Sequence, residues 1–322
     1  VLTLRDYWPV CLHGTSWWGG SVCPGCSPKH LVGCTHEYWR WPKPVGRAMV
    51  PWSWRRLAAR RAGVGAAHRV LAVSEAVRRR VGPELEEVGV EVVPNMVDAS
   101  SVETAAASAA TATEGMICPY LVTAGKLIRS KGFARLLADL AAAGCPWPLV
   151  VAGSGPERAE LEERAGALGL TARFLGWIDH SSLLALIGRA HALLLPSAWN
   201  EPLSRLMLES MALGTPVIAW AGGGSSEVID SGRNGWLVSE RAGLVAALSA
   251  LQQEAQRRPI GTAARDLAQR CFSPAAVYPL LARAYQAALE TSGRGLHLED
   301  LPSSRAAEGP ETSNAVGRSV WS

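Results

Sequence analysis

The chain has 322 residues, 48% of them hydrophobic, and a formal net charge of +4. That length suits one large or two ordinary domains with a substantial core, and no apolar run reaches the roughly 18 residues of a membrane-spanning helix. Seven cysteines, an odd number in a chain this long, do not suit a disulfide framework and point to a reducing, cytoplasmic compartment.

In chain order, "VLTL" at residues 1–4 reads as a short apolar strand. Residues 7–54 show little periodicity and hold seven of the 13 tryptophans. Cys11, Cys23, Cys26 and Cys34 fall within 24 of these residues, with Cys23-Pro-Gly-Cys26 as a tight pair. Thiolates at such spacing can hold a structural zinc ion, with His13, His30 or His36 as a substitute ligand; free loop thiols are the plainer alternative. "WSWRRLAARRAG" reads as a basic helix, "HRVLAVS" as a strand, "EAVRRRVG" as a helix and "VEVVPN" as a strand. Between residues 38 and 83, Arg40, Lys43, Arg47, Arg55, Arg56, Arg60, Arg61, Arg69, Arg78, Arg79 and Arg80 face a single acid, Glu75. Such a belt suits an anionic membrane surface or an acidic substrate, or is simply a solvated face.

Composition then shifts. "ASSVETAAASAATATEG", residues 99–115, is rich in Ala, Ser and Thr and reads as an interdomain linker or exposed insertion. From residue 119 the strand-like runs "YLVTAG", "PLVVAGSG", "ARFLGW", "ALLLPS" and "PVIAWAGGG" alternate with helical segments. Near-continuous apolar strands alternating with helices predict an α/β fold whose parallel sheet is covered on both faces. Helices are predicted over about 241–257 and 261–271, and a last amphipathic one over about 275–290, before a tail that reads as disordered.

One segment concentrates the chemistry. In "NEPLSRLMLESMALGTPVIAWAGGG" (residues 200–224), Pro202 suits a first helical turn and Gly214 a helix end, which predicts a helix over 202–213. Glu201 and Glu209 would then stand roughly 12 Å apart along its axis. That exceeds the about 5 to 9.5 Å of a glycoside hydrolase pair and matches a sugar diphosphate with a hydroxyl-bearing ring at each end. The amides of Leu203 and Ser204 would lie between, at the positive helix end that favours phosphate. Glu201 also follows a strand at its carboxyl end, where open α/β sheets bind ligands. Gly222 to Gly224 end the next strand, where backbone can come close to a ligand.

The run from "VTAGKLIRSKGFARLLADL" through "VVAGSGPERAELEERAGALGL" and "HALLLPSAWNEPLSRLMLESMALGTPVIAWAGGGSSEVI" to "GRNGWLV" resembles glycosyltransferase family 4, retaining enzymes of the GT-B fold. "TLRDYWPVC", "LAVSEAVRRRV" and "VVPNMVD" resemble parts of that family's N-terminal domain, so the likeness covers most of residues 1–290. The resemblance implies two Rossmann-like domains. It assigns Glu201 to the donor sugar hydroxyls, Glu209 to the nucleotide ribose, Lys126 and Lys131 to the diphosphate and the departing nucleotide, and Gly153 and Gly155 to a turn beside the nucleotide. Gly223 joins the donor-binding set with Leu203 and Ser204. Two cations at that sheet edge can stabilise charge developing on a leaving phosphate, so no metal or other cofactor is needed for the chemistry. Three positions depart from the family pattern: Lys126 stands for Arg, Leu203-Ser204 for Phe-Gly, and Arg5 for a His near the reacting sugar.

The sequence therefore predicts a partial N-terminal acceptor-side domain (1–98), a linker (99–115), a nucleotide-sugar-binding domain (116–274), a helix crossing back to the first domain (275–290) and a disordered tail (291–322). The N-terminal domain is expected to lack its first strands. The expected activity is transfer of a hexose from a nucleotide diphosphate sugar, with retention, to a glycan or lipid-linked acceptor, in the cytoplasm or at the inner face of the membrane. A nucleotide-sugar-binding protein without turnover is one alternative; a Cys/Trp/Arg-rich nucleic-acid-binding module is another, although no nucleic acid is expected.

Overall fold

The computed structural model describes residues 1–292 apart from Arg40, Glu86, Glu87 and Ile117. β1 (Leu2–Leu4) leads to a hairpin of β2 (Trp17–Trp18) and β3 (Ser21–Val22), then to α1 (Pro28–Trp39), α2 (Lys43–Ala48) and α3 (Val50–Gly65). β4 (Val70–Ala72), α4 (Glu75–Val81) and β5 (Val90–Val92) complete a parallel sheet in the order β1-β4-β5. The stretch that reads as aperiodic thus holds two helices, α1 and α2. Single residues fix it. Arg60 on α3 donates to the carbonyls of Trp8, Cys11 and Leu12 at 3.0–3.1 Å. Leu12, Leu31 and Leu57 make a small separate core beneath.

The Ala/Ser/Thr-rich segment differs from its reading as a linker. It forms α5 (Ala99–Ser108), then a short 3-10 turn over Ala110–Thr113. Asp98 caps it by accepting from the Ser100 amide at 3.2 Å. Alanine is the best helix former, and small side chains let this helix lie close against the next module while Val102 is buried.

The larger module alternates strictly: β6 (Leu121–Ala124), α6 (Phe133–Ala142), β7 (Leu149–Ala152), α7 (Arg158–Ala167), β8 (Ala172–Gly176), α8 (His180–Arg189), β9 (Ala192–Leu195), α9 (Arg205–Ala212), β10 (Val217–Trp220), α10 (Ser225–Val228) and β11 (Trp236–Val238). Its six strands are parallel, in the order β11-β10-β9-β6-β7-β8. The chain runs outward from β6 to β8 and then returns to the other side of β6 with β9. A crevice therefore opens at the carboxyl ends of β6 and β9, the switch point where such sheets bind ligands. On one face, Leu136, Leu137 and Leu140 of α6 cover the sheet. The spacing of three and four places them on one helical stripe, and each full burial is worth about 1.5–3 kcal/mol. On the other face, Met207, Leu208 and Met211 of α9 join the core shared with the N-terminal module.

α11 (Arg241–Leu251) and α12 (Glu254–Phe272) close this module, and α13 (Pro274–Ser292) leaves it. Val277, Leu280, Leu281 and Ala284 form one stripe of α13 that packs on Leu71 of β4 and on Val93, so the chain returns to the first sheet. Among the described residues, no helix is long and apolar enough to cross a membrane. Residues 293–322, expected as a disordered tail, lie outside the described residues.

Candidate functional site

The crevice between β6 and β9 is an open cleft of about 490 Å³. Ala124 at the end of β6 and Gly125 after it line one side, and Leu195 at the end of β9 with Pro196 and Ser197 after it line the other. Lys131, His180, Glu201, Ser204, Arg205 and Glu209 complete its polar wall. Both glutamates thus line one space.

Their placement corrects the predicted helix. Pro202 is not its first turn. α9 begins at Arg205, and Ser204 caps it, its hydroxyl accepting from the Met207 amide at 3.3 Å. A hydroxyl that can satisfy an orphan amide outweighs the mild preference for proline at a first turn. Glu201 therefore sits in the loop before the helix. The amides at the positive end are those of Arg205 and Leu206, which have no carbonyl of their own helix to bond, and both residues face the cleft. Leu203 is buried behind it.

Glu201 is held from three directions. Its carboxylate accepts from Lys131 Nζ at 2.8 and 3.0 Å, from Ser197 Oγ at 2.7 Å and from Trp199 Nε1 at 3.1 Å. The Lys131 ammonium also lies 5.3 Å from the Trp199 ring centre. Trp199 in turn packs edge-to-face on Tyr7 of the N-terminal module, ring centres 6.2 Å apart. Glu209 is nearly buried on α9, with its Oε1 3.1 Å from His180 Nε2 and 3.7 Å from Arg205. His180 opens α8, directly after Asp179, which caps that helix.

Several predicted residues stand outside the cleft wall. Lys126 is exposed beyond it. Gly153 and Gly155 serve backbone packing: a Cβ on Gly153 (φ +130°) would lie 1.9 Å from the Gly125 carbonyl oxygen, and one on Gly155 would lie 2.3 Å from that of Leu127. Gly223 (φ +55°) does the same for the Glu201 loop, since its Cβ would stand 2.1 Å from the Glu201 carbonyl oxygen. The next amide, of Gly224, donates to that oxygen at 2.8 Å. The glycine run thus fixes the Glu201 loop. Conversely, His180, Ser197, Trp199 and Arg205 have no role in the sequence reading. Three of them follow the carboxyl ends of parallel strands, and that position is the signal that could have found them.

Two modules meet beside the cleft. Glu227, on the short α10, accepts from the first amides of α4, Glu75 at 2.9 Å and Ala76 at 2.5 Å. Burial holds its carboxyl above the usual range. Asn95 Nδ2 donates to the Leu203 carbonyl at 3.0 Å.

Cys11, Cys23, Cys26 and Cys34 neighbour one another, as their spacing suggests, but not in metal-holding geometry. Among the described residues, no group of three or more His, Cys, Asp or Glu side chains is placed to hold a metal. The thiols turn to backbone instead: Cys23 to the Gly25 carbonyl, Cys26 to that of Val10, and Cys11 to the Ser16 amide. Burial, with the neighbouring cysteines, pushes Cys26 up to about 11 and Cys34 well above the usual thiol range. Burial thus favours the neutral thiol at Cys26 and Cys34. His13 stacks on Tyr38 at 4.0 Å, away from the cleft.

Residues 118–266 match the family Glycosyl transferases group 1. The chain carries a glycosyltransferase group 1 domain. That domain contains the whole polar wall of the cleft. The chain is 32% identical over 226 residues to the glycogen synthase of Mycobacterium tuberculosis, covering 67% of this chain and 52% of that one. It spans about half the length of the curated relatives it matches. Among solved structures it resembles sucrose-phosphate synthase from Thermosynechococcus elongatus, with a TM-score of 0.64 and 25% identity over 74% of this chain and 62% of that one. Anabaena HepE in complex with UDP-glucose shares the fold, with a TM-score of 0.62 and 21% identity over 81% of this chain and 77% of that one. The fold is GT-B, with the group 1 domain as its larger module.

Proposed function

We propose that this protein is a retaining hexosyltransferase of family 4 that uses a nucleotide diphosphate sugar. The observation that carries the reading is the convergence of Glu201, Glu209, Lys131 and the amino end of α9 on one cleft at the switch point of the sheet. In this reading Glu209 binds the ribose hydroxyls and Glu201 the donor sugar. The diphosphate lies between them against the Arg205 and Leu206 amides, Lys131 and the Arg205 guanidinium. The sugar's bond to the diphosphate breaks, a bond to an acceptor hydroxyl oxygen forms, and the hydroxyl proton leaves with the nucleoside diphosphate. Fixed cations and a helix end stabilise the charge that develops on the leaving group. No metal enters the scheme, and Lys126 remains a candidate for outer contact with the diphosphate. Neighbours crystallised with UDP or UDP-glucose support a nucleoside diphosphate sugar as the donor class.

The acceptor is a glycan or lipid-linked molecule at the cytoplasmic side of an anionic membrane. Exposed Trp39 and Trp52, with Arg56 over the Trp52 ring, support the surface contact, because aromatic and cationic side chains together suit a lipid headgroup region. The test is direct: titrate UDP-glucose, GDP-mannose and ADP-glucose calorimetrically, then follow the anomeric proton of the product by NMR. Saturable binding of one donor and an unchanged anomeric configuration are expected. Failure of every donor to bind in the millimolar range would overturn the reading.

A further inference from the structure

A second cavity, of about 360 Å³, lies on the other side of Arg205. It sits at the carboxyl ends of all three strands of the smaller sheet. Arg5 follows β1, Val73 follows β4, and Val93 to Met96 follow β5. α13 roofs it with Val277 and Leu281. Arg205 lines both this cavity and the donor cleft, so the two spaces share one wall.

The charges are one-sided. Arg5 and Arg205 both line the cavity, and no acidic residue does. The Arg5 side chain makes no hydrogen bond or ion pair among the described residues. Arg205 meets Glu209 only at 3.7 Å, with its own side chain 66% exposed, so that pair neutralises little. Two guanidinium groups facing one small space repel each other, and each presents a planar fork of donors suited to a carboxylate or phosphate. The remaining wall is largely apolar, which suits the body of a small organic molecule rather than a bare ion.

We propose that this cavity takes the acceptor, and that the acceptor carries a carboxylate or phosphate beside the hydroxyl that is glycosylated. The proposal rests on the transferase reading and adds the acceptor's chemistry. Position supports it. An acceptor seated here reaches the donor past a single side chain, from the module that does not hold the nucleotide. Arg5 gives the charge selection, and Arg205 touches both substrates.

The experiment uses the full chain and three probes: glucose, glucuronic acid and glucose 6-phosphate. Saturation-transfer NMR gives their affinities, and calorimetry with UDP-glucose runs in parallel. The two charged probes are expected to bind at least about tenfold more tightly than glucose, as charge-assisted hydrogen bonds allow. Arg5→Gln should remove most of that difference, Arg5→Lys should restore part of it, and UDP-glucose affinity should stay within about twofold in both. A thermal melt confirms that each variant is folded. Equal binding of charged and neutral probes overturns the proposal. So does a loss of UDP-glucose affinity in Arg5→Gln, because the anion would then be the donor's own diphosphate. If charged probes bind wild type but no nucleotide sugar does, the transferase reading fails while the anion site stands.

Discussion

The two sheets of this molecule are built by different means. The larger one alternates strand and helix with an apolar stripe on each helix, and its loops at one edge converge on Glu201 and Glu209. The smaller one has three short strands, and much of its order comes from single polar residues bonding to backbone. Arg60 reaches three carbonyls, and Glu227 caps α4 from the other module. Periodic packing makes a rigid frame for the cleft. Polar fastening holds the smaller module through a few single bonds instead.

Four substitutions test that contrast, in falling order of effect. Glu201→Gln should cost about a hundredfold or more in kcat, as loss of one group aimed at developing charge does elsewhere, while free nucleotide binds within a few fold. Nucleotide affinity falling as much as kcat would mean that Glu201 belongs to nucleotide binding. Glu209→Ala should weaken nucleotide binding by about 1.5–3 kcal/mol, the worth of hydrogen bonds to a charged group. Unchanged calorimetric affinity would remove the ribose assignment. Glu227→Ala frees two amides of α4 and should lower stability by about 1 kcal/mol. Denaturant unfolding should then show the smaller module loosening first. A single unchanged transition would show that Glu227 is not what joins the modules.

The smallest effect is a pH slope. Burial depresses His13 from 6.5 to about 4. The folded state therefore favours the neutral ring, and its contribution to stability is complete above pH 6.5 and fades as pH falls toward 4. His13→Phe keeps the stack on Tyr38 and should flatten the decline in melting temperature across that window. An identical decline in the variant would place its origin elsewhere.

The alternating module was legible because apolar runs such as "ALLLPS" and "PLVVAGSG" state their own burial. The two glutamates could be found because they share one short segment with helix and strand signals around it, whereas Lys131, in a separate segment, could be found only through the resemblance. What the sequence hid was convergence. Ser197, Trp199 and His180 reach the glutamates from the loops after β9 and β8, and no local pattern announces such meetings. The start of α9 was hidden by competition between Pro202 and Ser204. α5 was hidden because alanine and serine mark linkers and closely packed helices alike, and only Asp98 at its start separates the two. The strands and basic helix of the smaller module show in the sequence, but the carbonyl bonds of Arg60 leave no periodic trace.

The return of α13 shapes how the two halves can move. The chain passes from one half to the other twice, and the passages touch, with the Val97 amide donating to the Phe272 carbonyl at 2.8 Å. They form a two-ply spine, like the sewn edge of a book. Sliding one half along the other would tear both plies, whereas turning about the spine strains neither. Because α13 keeps its stripe on the smaller sheet, the fold line runs through Ser273, the single residue between α12 and α13. Any turn of one half against the other would bend the chain there.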